Sequence, residues 1–482
     1  MIFHTNIFIF LFFPITITGF YLLKRLKKPL FSQLFLIGMT LLFYGYSNLK
    51  YIVLILTSIF VNYSFFRILR QKNKKWILVI GILFNLLCLF IFKYYDFFIE
   101  CCNEVLHTNF TLISVLLPIG ISFYTFVQIS FLSDTYHGEV KECRLLDYCS
   151  FVLFFPQLIS GPIVTHNTML PQIKDMGKRA FDLQLFSQGI CLFVLGLAKK
   201  VLLADVFGLA VNWGYNNIPL LDSPNALLVM LFYTIQLYFD FSSYCDMAGG
   251  VANMLGFTLP INFNSPFKAR NLIDFWKRWH MTLTYFLTHY VYIPLGGNRK
   301  GRVRTYFNIL LVFLVSGLWH GPSLTFVLWG LIHGVFYMIT KLCMPIIRKV
   351  PMIFTCISTF IIVNVAFVFF RSQSVSQAFA LIKTICSFRF GSIQTKISSS
   401  FELPELWYAI KVFKLDGLPF SHMYCMFAYL LITFFILFFA KNTNELVKKY
   451  KPRLFTAALL GFLFVWCVLS LSDISTFLYF NF

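Results

Sequence analysis

The feature that most constrains this chain is a recurring alternation of long apolar runs with short loops crowded with lysine and arginine. Residues 7–23 are apolar and give way at once to Lys24, Arg25, Lys27 and Lys28. Arg67, Arg70, Lys72, Lys74 and Lys75 close the third run; Arg299, Lys300, Arg302 and Arg304, then Lys441, Lys448, Lys449, Lys451 and Arg453, mark later loops. About 20 apolar residues carry a helix across a bilayer core, and short loops rich in Lys and Arg mark the cytoplasmic side. With 59% hydrophobic and 12% charged residues, a water-soluble domain is excluded, because such domains carry about a quarter charged residues. One soluble core also stops growing near roughly 250 to 300 residues. The 482 residues are therefore expected to form one polytopic bundle.

The formal charge of +21 does not point to nucleic acid, since the cations sit in short loops and not on one face of a soluble fold. The 12 cysteines are scattered through apolar runs such as those holding Cys88, Cys191, Cys356 and Cys467. They show neither zinc spacing nor a disulfide framework, so no metal is expected. The adjacent pair Cys101 and Cys102 has side chains that ordinarily point apart. Nothing after the first run resembles a cleavage site, and that run is expected to stay as a span.

Taking the basic loops as inside, the runs 7–23, 31–46, 51–69, 76–98 and 112–132 alternate across the membrane and place the N-terminus outside. Residues 146–163 are apolar but broken by Pro156, Gly161 and Pro162. This predicts a re-entrant segment, because irregular backbone survives at membrane depth only where protein or a wet cavity surrounds it. Residues 186–203 and 227–238 follow as further apolar stretches. Asp240, Asp246, Gly249, Gly250 and Asn253 are expected to interrupt the next stretch, so that neither half of 240–300 forms a plain span. Residues 268–280 interleave Arg270, Asp274, Lys277 and Arg278 with Phe275, Trp276 and Trp279, the pattern of a helix lying at the inner surface. Residues 281–295 are too short to cross. Spans are expected at 307–319, 324–338, 353–370, 424–440 and 455–471. An external loop is expected at 387–421, and the C-terminal tail is placed outside.

Chemistry concentrates at Ser316-Gly-Leu-Trp-His-Gly-Pro322, where His320 sits at a helix break with Pro322 set to start the next helix. An ionisable group at membrane depth commonly lines a cavity and carries function; the competing account is a histidine bonded to a neighbouring carbonyl. His280, at the edge of the short run, stands at the same balance. His289 and His333 are weaker candidates, His333 because on a shared helix it would face another side than His320. Asp240 and Asp246 are expected to pair with cations, and Gly249-Gly250 and Gly296-Gly297 to serve as hinges or close-packing points.

The stretches Leu117-Pro-Ile-Gly-Ile-Ser-Phe-Tyr124, Phe155-Pro-Gln-Leu-Ile-Ser-Gly-Pro162, Gly196-Leu-Ala-Lys-Lys200, Tyr238-Phe-Asp-Phe241, Asp274-Phe-Trp-Lys-Arg-Trp-His280, Tyr292-Ile-Pro-Leu-Gly-Gly-Asn-Arg-Lys-Gly301 and residues 316–334 resemble the membrane-bound O-acyltransferases. The likeness runs the length of the chain and is strongest to the bacterial branch that O-acetylates alginate or peptidoglycan. It implies an all-α polytopic fold of roughly 10 to 12 transmembrane helices, with re-entrant and interfacial helices around a central cavity. The whole of 1–482 would be one acyltransferase domain, with peripheral spans at 1–110, a catalytic core at 111–340 and C-terminal spans and tail at 341–482.

The resemblance further implies that His320 is the principal catalytic residue, that His280 is the second, and that Tyr479 in Phe477-Leu-Tyr-Phe-Asn-Phe482 relays the acyl group. No bound cofactor is implied. Acetyl-CoA is the expected donor, with Arg278, Lys300 and Arg302 drawing its phosphates. The expected partners are an extracytoplasmic acetyltransferase resembling SGNH hydrolases and membrane lipid, with no nucleic acid; the expected site is the bacterial cytoplasmic membrane. D-alanyl transfer to teichoic acid and a non-enzymatic transporter are the alternatives. Broken helices near mid-bilayer suit transporters too, although no internal repeat is visible.

Overall fold

In the computed structural model the described residues are 1–403, 408, 411–414, 419–471 and 478. The architecture is all-α. The longer helices are α1 (Phe8–Arg25), α2 (Pro29–Gly45), α3 (Lys50–Lys72), α4 (Lys75–Leu106), α5 (Ile121–Tyr136), α6 (Leu183–Ala198), α7 (Asp205–Asn216), α8 (Ser223–Met254), α9 (Arg302–His320), α10 (Leu324–Leu342), α11 (Met352–Arg371), α12 (Val375–Ile385), α13 (Ser421–Phe438) and α14 (Leu454–Leu469). Eight of these are long and apolar enough to cross a membrane, and α2, α12 and α14 are shorter apolar helices.

The basic segments gather at one end of the bundle. Tyr21 donates to the Met254 carbonyl at 2.9 Å, Gln184 to Tyr450 O at 2.7 Å, Lys268 to Ala440 O at 2.6 Å, and Arg70 pairs with Glu142. At the other end Arg371 donates to Asn212 and Asn225 to Ser392 O. Polar side chains tie helices together inside the apolar bundle, as expected where lipid supplies no hydrophobic drive between helices. Asn62 of α3, Asn85 of α4 and Gln128 of α5 form one network, with Asn62 Nδ2 2.7 Å from Gln128 Oε1 and Asn85 Nδ2 2.6 Å from Asn62 Oδ1.

Three sequence expectations need correction. Asp240 and Asp246 do not interrupt α8, which runs unbroken for 32 residues from a cap in which Asp222 accepts from the Asn225 N–H. Both carboxylates are neutralised sideways: Lys200 pairs with Asp240 at 2.6 Å and Lys199 pairs with Asp246. The two lysines occupy a π turn, Lys199–Ala204, between α6 and α7. The glycines then let α6 and α8 touch, since a Cβ on Gly250 would lie 2.7 Å from the Gly189 carbonyl oxygen.

Residues 112–132 are likewise not one helix. The backbone is irregular until Gly120, whose φ is +78°, and α5 starts at Ile121. Side chains satisfy the exposed polar groups: Asp96 accepts from the Ile113 and Ser114 N–H groups, Tyr51 donates to Leu117 O and Tyr44 to Ile119 O. Finally, residues 268–280 form no surface helix. They make a short helix, Leu272–Trp276, and turns, and Phe275, Trp276 and Trp279 are buried. Apolar packing against α9, α10 and α11 draws these rings inward, leaving the intervening cations to the surface. The broken segment at 146–163 is short helices and extended chain, with residues 151–164 buried throughout.

Candidate active site

His280 and His320 come together. Their ring centroids are 6.4 Å apart, and both are buried.

His280 precedes the short helix Met281–Leu287 in left-handed backbone, φ +45°. A non-glycine residue held there costs on the order of 1 to 3 kcal/mol and persists where its surroundings over-determine it. Asn262 does that work. Its Oδ1 takes the Thr282 N–H at 3.2 Å, the Thr282 hydroxyl at 3.0 Å and lies 3.1 Å from His280 Nδ1. A backbone N–H can only donate, so that atom is the amide oxygen and Nδ1 must carry the proton. His280 therefore presents Nε2 as its basic nitrogen. Thr282 is held in turn by the Ile163 N–H at 3.1 Å, which ties the broken segment to the site.

His320 is the last residue of α9, and Gly321 continues in extended backbone before Ser323 caps α10. Its ring lies 5.0 Å from that of Trp329 and 5.1 Å from that of Phe370. The two helices around it interlock through small residues: a Cβ on Gly317 would meet Phe326 O at 2.3 Å, and one on Gly330 would meet Phe313 O at 2.4 Å. His333 belongs to α10, so the turn at 321–323 removes the assumption that it faces away. It sits beyond Trp329, 4.8 Å from that ring and 5.0 Å from Trp276. Phe275, Phe313 and Phe367 complete the ring of aromatic neighbours around it, which makes it an aromatic core histidine. The Gly-Pro break was the signal that separated the helices.

Two cavities approach the histidines from opposite ends. At the basic end, a cavity of about 260 Å³ is lined by Lys199, Asn253, Asn262, Asn442, Thr443 and Lys448. Its wall thus includes the amide that holds His280. At the other end, a cavity of about 680 Å³ is lined by Lys200, Asp240, Ser323, Phe370, Arg371 and Leu478, one aromatic ring away from His320. Leu478 donates its backbone N–H to Asp240 Oδ2 at 2.9 Å. A third, apolar groove of about 210 Å³ between α9 and α10 carries Lys277 and Lys341 among its lining residues and reaches Ser316.

Arg278 is tied to Asp274 at 2.9 Å, and Lys300 and Arg302 are exposed; none of the three lines these cavities. Tyr479 lies outside the described residues. Asn262 and Lys93 were missed from the sequence. Lys93 carried a signal, a lone cation in an apolar run; Asn262, a neutral amide among loop residues, carried none.

Comparison with known proteins decides the family. The model of MBOAT, the membrane-bound O-acyltransferase family, matches residues 36–376. The chain belongs to the membrane-bound O-acyltransferase family. It is a multi-pass membrane acyltransferase. It is 35% identical over 532 residues to the peptidoglycan O-acetyltransferase of Helicobacter pylori, covering 100% of this chain and 98% of that protein. Identity is 34% over 515 residues, 100% of both chains, to the Pseudomonas putida protein named "Probable alginate O-acetylase AlgI". The teichoic acid D-alanyltransferase of Bacillus subtilis is 30% identical over 279 residues, 55% of this chain and 68% of that one.

Proposed function

We propose that this acyltransferase takes acetyl from acetyl-CoA at its basic, cytoplasmic end and delivers it across the bacterial cytoplasmic membrane for O-acetylation of a cell-surface polysaccharide of the peptidoglycan or alginate type. The observation that carries the reading is the pair of buried histidines 6.4 Å apart, set between cavities that open at opposite ends of the bundle. The donor stays on its own side and only the acyl group crosses. The names of the two relatives matched along the full chain support acetyl as the group and a surface polymer as the destination.

In this reading a hydroxyl oxygen attacks the thioester carbonyl, a C–O bond forms and the C–S bond breaks. A histidine takes the hydroxyl proton and returns one to the departing thiolate, the exchange that general acid-base catalysis requires. His320 is assigned the principal role and His280, with Nε2 free of a proton, the supporting one. Arg278, Lys300 and Arg302 act on the donor's phosphates at the cytoplasmic surface, ahead of the cavities. Tyr479 is the first acceptor: its acetyl ester has a leaving group with a pKa near 10, which suits onward transfer to a serine of an SGNH-hydrolase-like partner outside the cell. Residues 111–340 form the catalytic core, flanked by spans at 1–110 and 341–482, and both termini lie outside. D-alanyl transfer to teichoic acid is the second reading, favoured by the partial similarity to the Bacillus subtilis protein.

The test is ester-linked acetate released from the cell surface. His320→Ala should remove it at unchanged protein level, since acid-base help is worth about 10² to 10⁴ in rate. More than half of wild-type acetate in that variant would overturn the assignment, and wild-type acetate in Tyr479→Phe would end the relay.

A further inference from the structure

Helix α9 stops at His320, so the carbonyls of its last turn have no partner within the helix. At membrane depth such carbonyls need partners from the protein. Two neighbouring side chains of α4 do. Lys93 Nζ donates to Trp319 O at 2.6 Å and to His320 O at 3.3 Å, and Tyr94 Oη donates to Leu318 O at 2.8 Å. The third Lys93 contact goes to Ser122 Oγ of α5, at 3.2 Å. Consecutive positions on a regular helix point about 100° apart. Here the helix widens into a π turn, Phe90–Tyr94, and both side chains reach the same helix end.

Lys93 is buried, and among the described residues it forms no ion pair. A buried cation without a carboxylate is expensive. The negative end of the α9 dipole is a favourable placement for a cation, and the ammonium also lies 5.9 Å from the Trp319 ring centroid and 5.8 Å from that of Tyr94. An ammonium has three donors, and three acceptors occupy them, so none is left for substrate.

We propose that Lys93, together with Tyr94, is a positioning residue that fixes the end of α9 and hence the direction in which the His320 ring enters the site. The proposal rests on the reading of His320 as the principal catalytic residue. Its effect is on the rate of the chemical step and not on donor binding, because the two side chains donate to the carbonyls of residues 318–320 and to Ser122, and Lys93 lines none of the three cavities described above.

The experiment uses the purified full chain in proteoliposomes, with acetyl-CoA as probe, water as the final acceptor that carries the acyl group off as acetate, and CoA release as readout, on Lys93→Met, Lys93→Arg, Tyr94→Phe, His320→Ala and the Lys93→Met/His320→Ala double variant. A displacement of about 1 Å can cost on the order of 100-fold. Lys93→Met should therefore lower kcat by roughly 10-fold to 100-fold, with KM for acetyl-CoA unchanged within about twofold. Lys93→Arg, which keeps cationic donors, should recover part of the loss, and Tyr94→Phe should cost less than Lys93→Met. In the His320→Ala background Lys93→Met should add no further loss, because residues acting through one group are not additive. A kcat within about twofold of wild type in Lys93→Met overturns the proposal while His320 stands. So does a loss that adds fully to that of His320→Ala, which marks a general structural role. Wild-type CoA release in His320→Ala overturns both. If Lys93→Met does not accumulate, Tyr94→Phe alone decides: unchanged kcat overturns the proposal, and a kcat-only loss supports it.

Discussion

At the residue scale, His280 owes its chemistry to a neighbour. The hydrogen bond to Asn262 Oδ1 sets which ring nitrogen holds the proton, and the Thr282 N–H sets which end of the amide faces the ring. Asn262→Ala removes that constraint while leaving the imidazole in place. It should lower the acyl-transfer rate by at least about 10-fold, part of the 10² to 10⁴ that a positioned base supplies. Transfer assays on the purified chain check this, and an undiminished rate would show that His280 needs no fixed tautomer. A bulk property cannot stand in for such contacts. Trp276 and Trp279 have the composition of interface anchors, yet both are buried, and Trp276 meets His333 in a near-perpendicular ring contact at 5.0 Å.

At the element scale, α8 is continuous because two lysines of the preceding π turn neutralise its carboxylates. Removing one partner of a buried pair leaves an uncompensated charge and costs about 3 to 5 kcal/mol, whereas apolar replacement of both is often close to neutral. Lys200→Met should accordingly lower the detergent melting temperature of the chain well below that of the Lys200→Met/Asp240→Leu double variant. If the single variant is as stable as the double one, the pair does not account for the uninterrupted helix. The same pair borders the cavity at the end away from the basic loops, where Leu478 donates to the second oxygen of the Asp240 carboxylate.

At the scale of the whole molecule, the shared position of the basic loops gives the bundle a polarity that cysteine chemistry can read. All twelve cysteines are free. Cys386 is exposed at the end of α12 away from the basic loops. Cys143, at the basic end, is buried, and that burial pushes its thiol up to about 12, which removes the thiolate that a maleimide attacks. In intact cells an impermeant maleimide should modify the Cys386 peptide and spare the Cys143 peptide, read by mass spectrometry. Modification of Cys386 only after permeabilisation would invert the orientation.

Much of this protein was legible in one dimension. Apolar length and basic loops dictate a membrane bundle because both act through local composition: hydrocarbon thickness sets the run length, and loop charge sets the side. The break at Gly321-Pro322 located His320 because proline and glycine act on the backbone where they stand. What required the folded chain was every interaction between residues far apart in sequence. Lys200 meets Asp240 across 40 positions, Lys93 meets Trp319 across 226, and His333 joins the aromatic wall of the site once the turn folds α10 back on α9. Whether an aspartate breaks a helix or a lysine caps one depends on what stands opposite. In a solvent without hydrogen bonds, tertiary packing alone supplies that partner.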